Sequence, residues 1–210
     1  MMCGWEWYTC CHMTTFIVGL GNPGHQYENS RHNVGREVAK EFAVQEKCTD
    51  FVYQKKSNAQ ISAGTLQNVP VKIVLPDTMM NNSGKSVMQF VRSKNAARKT
   101  VVVRDDLDLP VGAIKMSFGR GSGGHKGVES IMGALKTKDF AQIKIGISSI
   151  TPKGKLRKPK GNEKVISHVL GKFSPKEREY LAGARTRARK VLSLFVSDGI
   201  EKAMQFANSK

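Results

Sequence analysis

The chain predicts an α/β fold, a single-domain sandwich in which a twisted mixed β-sheet is flanked by helices. Three observations predict it. Short apolar runs rich in β-branched residues alternate with stretches of helical period, the pattern of strands joined by crossover helices. Three such runs crowd into residues 51 to 75 with only turn residues between them, so part of the sheet is an antiparallel meander. At 210 residues the chain suits one core of ordinary size, whereas two domains would each be small.

Residues 1–13 hold two tryptophans, one acid and no Lys or Arg, which fits neither an Arg-rich transit peptide nor a signal sequence with a charged start. They read as a disordered extension ahead of a domain spanning 14–210. Phe16, Ile17 and Val18 predict a first buried strand that runs into Gly19, Gly21 and Gly24. A loop without period then displays Asn22, Tyr27, Asn29, Arg31, His32 and Asn33, and a polar loop held at a strand end is a usual carrier of function. From Val34 to about Lys47 the period is helical, with Val38, Phe42 and Val44 turned inward.

The meander comprises 51–53, 59–63 and 71–75, with 66–70 as a turn. A second polar loop covers 76–84, and Ser83 is placed to cap a helix burying Val87, Met88, Phe90 and Val91. Val101, Val102 and Val103 predict a central strand ending in an acidic loop, Asp105 to Pro110. Another strand over 113–118 leads into a glycine-rich loop, 119–127, ahead of a helix near 128–135. Ile143, Ile145 and Ile147 alternate as a strand. Residues 151–164 read as an exposed basic loop, followed by 165–170 and a long helical region opening at Ser174-Pro175, with Gly199 setting off a short last helix.

Thirty-four Lys and Arg against seventeen Asp and Glu give a net charge of +17, an electrostatic footprint suited to a polyanion, nucleic acid before membrane surface. Cysteines at 3, 10, 11 and 48 form no disulfide framework, and Cys10, Cys11 and His12 lack a second cluster at metal-finger spacing. Reduced thiols in an intracellular protein follow. No apolar run reaches the length of a membrane span.

Gly19 to Gly24 fits G-x-G-x-x-G after a strand, but the dinucleotide-binding reading fails on context. Pro23 interrupts the run, no helix begins before Val34, and Glu41, the acid at the right distance, lies within a helix. In an open α/β sheet ligands gather at the carboxyl ends of strands, and the loops at 21–33, 76–84 and 105–108 all follow strands. One rim would then unite Asn22, His32, Asn81 and Asp105, with Met80 as an apolar wall. A histidine oriented by a carboxylate can take a proton from water, and Asn amides can donate to a carbonyl oxygen as it becomes an oxyanion. Each residue also has a plain structural explanation: Asn22 as a turn former, Asp105 as a cap, His32 as a surface histidine.

The motifs GLGNPGxxYxxSRHNVG, MMNNSG, RDDLDLPVGAIK, GSGGHKGVESI and IKIGI, in that order, resemble those of the bacterial-type peptidyl-tRNA hydrolases over roughly residues 14 to 209. The resemblance implies cleavage of the ester joining a peptide to the terminal ribose of tRNA, with no cofactor and no metal. It implies His32 as the base and Asp105 as the acid that orients it, with Asn22 and Asn81 positioning water and peptide. Tyr27, Met80, His125 and Lys126 would contact substrate. Lys144, with Lys153, Lys155, Arg157, Lys158 and Lys160 of the basic loop, would hold tRNA phosphates away from the cleft. A metal site built from His25, His32 and the acids at 105, 106 and 108 is the weaker reading, since it leaves the asparagines unexplained. The expected partner is peptidyl-tRNA, the expected state a monomer, and the expected location intracellular, in the cytoplasm or the mitochondrion.

The chain departs from the family pattern at Lys126, where asparagine is usual, at Ser117, where a lysine is usual, at Lys144, where arginine is usual, and at Asn82, where leucine is usual. A catalytically silent RNA-binding protein on the same fold is the competing reading. It draws on Lys126, while His32 and Asp105 argue against it.

Overall fold

The computed structural model describes residues 13–151 and 155–209. Eight strands, β1 (Thr15–Gly19), β2 (Val52–Gln54), β3 (Ala59–Leu66), β4 (Val69–Pro76), β5 (Thr100–Pro110), β6 (Ile114–Phe118), β7 (Ala141–Ile150) and β8 (Leu156–Arg157), form one mixed sheet. Its order is β2-β3-β4-β1-β5-β7-β6, with β8 pairing the end of β7. Strands β4, β1, β5 and β7 run parallel, and the flanking pairs are antiparallel. The mixed sheet of the sequence reading is therefore present, with its meander on one flank.

Helices α1 (Val34–Gln45), α6 (Pro175–Ser197) and α7 (Ile200–Asn208) cover one face, while α2 (Ser83–Val87), α3 (Lys94–Arg98) and α4 (Lys126–Leu135) cover the other. The valine run of β5 explains itself between them. Val101 and Val103 join Val38, Phe42 and Ile143 on the first face, and Val102 joins Val87, Val128 and Ile131 on the second. A strand buried on both sides needs no polar alternation.

The glycines of the first motif serve packing. A Cβ at Gly35 would lie 2.2 Å from the Val103 carbonyl, and one at Gly19 would lie 2.6 Å from the Ala39 Cβ, so α1 rests directly on β1 and β5. Only 3-10 turns at His25–Tyr27 and Arg31–Asn33 precede α1, and Glu41 lies within it. This is the arrangement that excludes the dinucleotide fingerprint.

Several expectations are corrected. Val44 is 79% exposed, because it follows the buried stripe of α1 past its edge, and Met88 is 43% exposed at the end of a helix of only five residues. Phe90 is half-buried; Val87 and Val91 are core. Ser83 does not cap α2. It is the first helical residue, and its hydroxyl donates back to the Met80 carbonyl at 2.9 Å. The 66–70 turn shrinks to Gln67 and Asn68, both at positive φ, because β3 and β4 extend to pair Leu66 with Val69. The acidic segment is the continuation of β5, with a register irregularity between Asp106 and Pro110. Helix α4 begins at Lys126 rather than near 128, and α3 was not anticipated. The basic segment contains β8 and the start of α5 (Asn162–Leu170). The proposed extension falls almost wholly outside the described residues, as do Cys10, Cys11 and His12.

Candidate active site

Because β1, β4 and β5 are parallel, their carboxyl ends lie on one edge, and the loop after β1, the loop after β4 and the far half of β5 meet there. The SRHN segment is held from behind. Ser30 bridges Lys172, the Arg31 amide donates to the Gly171 carbonyl, and the Arg31 guanidinium contacts the Lys172 carbonyl at 2.7 Å and Glu177 at 2.9 Å. The Asn29 amide, at a left-handed φ of 60°, donates to Glu37 of α1. His32 thus sits on a loop anchored to α1 and to the start of α6.

His32 Nδ1 lies 2.8 Å from Asp105 Oδ1, and His125 Nε2 lies 2.9 Å from the same oxygen. The two rings are 5.0 Å apart. His125 is the N-cap of α4, and its Nδ1 accepts from the Gly127 and Val128 amides at 3.2 and 3.4 Å. A nitrogen that accepts carries no proton, so His125 is the neutral tautomer with its hydrogen on Nε2, donating to Asp105. Burial pushes the pKa of His125 down, in agreement, with only partial compensation by Asp105. For Asp105, only 3% exposed, burial favours the neutral form, but the two imidazoles outweigh it and the carboxyl is held far below its usual range. For His32, burial lowers the pKa and Asp105 raises it, with a net upward shift. Asp105 therefore remains an anion that fixes Nδ1–H of His32 and leaves Nε2 on the far side of the ring.

Asn22 is locked by a second arrangement. Asn33 Oδ1 accepts from the Asn22 amide at 2.8 Å, and Asn33 Nδ2 donates to the Asn22 carbonyl at 2.9 Å. The Asn22 Oδ1 is occupied by the Met80 amide at 2.8 Å, which leaves Nδ2 as its side-chain donor. Met80 is buried and reaches α4: a Cβ on Gly127 would lie 2.5 Å from its sulfur and 3.2 Å from His125 Cε1. Asn22 is thus bonded to Met80, Met80 and His125 both approach Gly127, and Asp105 joins His125 to His32. Asn81 follows Met80 in a 3-10 turn and is exposed.

A cleft of about 490 Å³ opens over the histidines, lined by His32, Arg104, Asp105, His125, Lys126 and the apolar side of α5. Asn22, Tyr27, Met80, Asn81 and Lys144 are not among its lining residues, and Asn22 lines a separate cavity together with His25. Lys144 lies behind it on β7, directly opposite Lys115 of β6. Lys155, Arg157, Lys158 and Lys160 are exposed; Lys153 lies outside the described residues. Lys158 corrects the expectation of a basic loop remote from the cleft, because it lines the cleft and pairs with Asp108. His25 does not join a metal set with His32: it pairs with Glu28 at 3.0 Å and lines a different cavity. His32, Asp105 and His125 do offer ligand atoms within 4.8 Å of one another. A cation there would have to take His125 Nε2 without its proton while Nδ1 still accepts two amides, so this donor set suits a hydrogen-bonded trio better than a metal. The bond from His125 to Asp105 and the lock by Asn33 escaped the sequence reading. A histidine directly ahead of a helical pattern is a readable cap signal; Asn33 gave none.

The sequence model of the peptidyl-tRNA hydrolase family matches residues 16–210. The chain is 38% identical over 195 residues to a peptidyl-tRNA hydrolase of Dehalococcoides mccartyi, covering 92% of this chain and 98% of that protein. It is 41% identical over 196 residues to one of Herpetosiphon aurantiacus, covering 92% and 90%. The crystal structure of peptidyl-tRNA hydrolase from Acinetobacter baumannii superposes with a TM-score of 0.83 at 31% identity, covering 93% of this chain and 95% of that one. Matched over nearly its whole described length by sequence and by fold, the chain belongs to the peptidyl-tRNA hydrolase family.

Proposed function

We propose that this protein hydrolyses the ester between a peptide and the 3′-terminal ribose of tRNA, with His32 as general base. The observation that carries this reading is the 2.8 Å bond from His32 Nδ1 to Asp105, which leaves Nε2 as the nitrogen able to accept a proton. Nε2 takes a proton from water as the water oxygen attacks the ester carbonyl. Asp105 stabilises the imidazolium that forms, without itself becoming protonated. The Asn22 Nδ2 and the Asn81 amide serve as donors to the developing oxyanion and the peptide. As the tetrahedral intermediate collapses, the ribose oxygen leaves and recovers the proton from His32 Nε2, so the base returns neutral.

Met80, Tyr27, His125 and Lys126 provide substrate contacts in this scheme. Lys144 and the basic segment, Lys153, Lys155, Arg157, Lys158 and Lys160, supply charge for tRNA phosphates, in keeping with the net charge of +17. The protein acts as a monomer on this reading, inside the cell in the cytoplasm or the mitochondrion. No helix among the described residues is long and apolar enough to cross a membrane.

The test is a pair of substrates, N-acetyl-aminoacyl-tRNA and the free aminoacyl-tRNA. A site that grips a peptide with amides would leave a free ammonium desolvated and unpaired, so the blocked ester should be cleaved and the free one spared. Equal cleavage of both would indicate a general esterase, and cleavage of neither would remove the hydrolase reading.

A further inference from the structure

Arg104 is the buried cation that the scheme above leaves without a task. It lies on β5 one residue before Asp105, is 3% exposed, and lines the same cleft as His32. Its Nη1 donates to the Asp105 carbonyl at 2.8 Å and lies 3.1 Å from Asp106 Oδ2. The other nitrogens are idle. Nε is buried with no hydrogen-bond partner, and Nη2 enters no hydrogen bond or ion pair among the described residues, where the polar contacts of Arg104 all run through Nη1. Nη2 faces the glycine-rich loop, where a Cβ on Gly123 would stand 3.6 Å from it.

Other arginines set the standard for this protein. Nε is unpartnered in Arg31, Arg185 and Arg189 as it is in Arg104, but in these three and in Arg36 both terminal nitrogens are engaged by carboxylate, carbonyl or hydroxyl oxygens. The Arg104 side chain is less exposed than any of these, yet its contacts all run through one terminal nitrogen. A guanidinium taken out of water with donors unmet is unfavourable unless an acceptor arrives. Lys126, the first residue of α4, lines the same cleft, and neither the Gly123 nor the Lys126 amide has an acceptor among the described residues. Helix N-terminal amides and an arginine fork are complementary to the same ligand, an oxyanion with several acceptor oxygens. Three carboxylates line the cleft with it: Asp105 receives two imidazole N–H groups, Asp106 is paired with Arg104 itself, and Asp108 is paired with Lys158.

We infer that Arg104, with the Gly123 and Lys126 amides, binds the phosphodiester that joins the terminal adenosine of tRNA to the nucleotide before it. The inference rests on the tRNA-ester reading and adds to it a built phosphate subsite inside the cleft, separate from the exposed lysines. Its effect is to hold the terminal ribose by its 5′ side while His32 works at the 3′ ester, which is orientation rather than bulk attraction.

The test uses the dinucleotide CpA and its methylphosphonate-linked analogue, which keeps the shape and loses the charge. Each is titrated as an inhibitor of N-acetyl-aminoacyl-tRNA hydrolysis by the full chain. Charge-assisted bonds to a desolvated fork predict that CpA binds the wild-type protein at least about tenfold more tightly than the neutral analogue. In Arg104→Met that preference should vanish, and in Arg104→Lys it should fall only in part, since the charge remains without the fork. Equal inhibition by the two dinucleotides in the wild-type protein would overturn the proposal without any variant being needed. So would a preference that survives in Arg104→Met but disappears in Lys126→Gln, because the charge would then be read by the surface lysine. Failure of the wild-type protein to cleave the tRNA ester at all would count against the hydrolase reading instead, so the two failures are distinguishable.

Discussion

Two regions of this protein, the histidine–aspartate rim and the basic flank, are built in opposite ways. At the rim, Asp105 and His125 are buried and His32 is largely so, and the two histidines meet one carboxylate oxygen at 2.8 and 2.9 Å. On the flank, Lys155, Arg157, Lys158 and Lys160 are exposed side chains around a two-residue strand. The difference matches the demands of the two tasks. Proton transfer needs a fixed tautomer and a fixed distance, and only burial with satisfied partners supplies both. Attraction of a polyanion works through counterion release, which needs charge near the surface but no single geometry. If this contrast is real, substitutions at the rim should change turnover and those on the flank should change affinity.

The sharpest way to break the contrast is at His32. His32→Ala should lower turnover of N-acetyl-aminoacyl-tRNA by about 10²-fold or more, while tRNA binding measured by filter retention stays near wild type. A variant that kept about a tenth of the rate would take His32 out of the reaction.

Asp105→Asn comes next, and its pH profile is more informative than its rate. In the wild-type protein burial lowers the pKa of His32 and Asp105 more than reverses this, so the base titrates above the ordinary value of about 6.5. A base must be unprotonated to act, so kcat/KM should rise with pH through that raised pKa. The asparagine removes the raising cause and leaves burial, so the rising limb should move to lower pH while the plateau falls. A limb that stays in place would mean that Asp105 does not set the protonation of His32.

A smaller effect is expected at His125. His125→Ala removes the side-chain cap of α4 and one of two donors to Asp105, but leaves His32 its own bond to the carboxylate. Loss of the cap should lower stability by about 1 kcal/mol. Turnover should fall less than in Asp105→Asn. Thermal unfolding and initial rates measured on the same preparation check both, and a rate loss as large as that of His32→Ala would give His125 a direct part in the chemistry.

Much of this contrast was legible in the sequence, for reasons that differ by region. Polar loops that follow parallel strands share one edge, which is what grouped Asn22, His32, Asn81 and Asp105 with Met80 as a wall; the structure joins His32 to Asp105 and Asn22 to Met80, while Asn81 is exposed. Local period also served where a face is fully buried, as in Val101 to Val103. It failed where tertiary pairing decides. Asp105 to Pro110 looks like a loop by composition, yet β5 continues there because β7 pairs with Asp105, Asp106 and Pro110. Val44 looks like core by type and is exposed, since at about 100° per residue it lies off the face of α1 made by Val34, Val38, Ala39 and Phe42. Arg104 was invisible for a simpler reason: a charged residue ending a valine run reads as the edge of the core, and only the packed structure reveals that it is buried with its Nε unpartnered.

The smallest effect on turnover belongs to the flank, and the structure refines how to look for it. Lys158 lines the cleft beside Asp108, so it should be kept apart from the remaining charges of the segment. Replacing Lys153, Lys155, Arg157 and Lys160 together by Gln removes four charges while leaving the cleft wall intact. If these side chains meet phosphates, each lost contact should reduce the slope of log K against log salt by about 0.9, and KM for tRNA should rise accordingly. The value of kcat should hold, because binding is lost equally from ground state and transition state. Adding Lys158→Gln to that set then becomes the discriminating step: a further rise in KM at constant kcat makes it one more phosphate contact, whereas a fall in kcat makes it part of the cleft. A four-charge variant with unchanged salt dependence would show that this segment is solvated and that tRNA docks on another face.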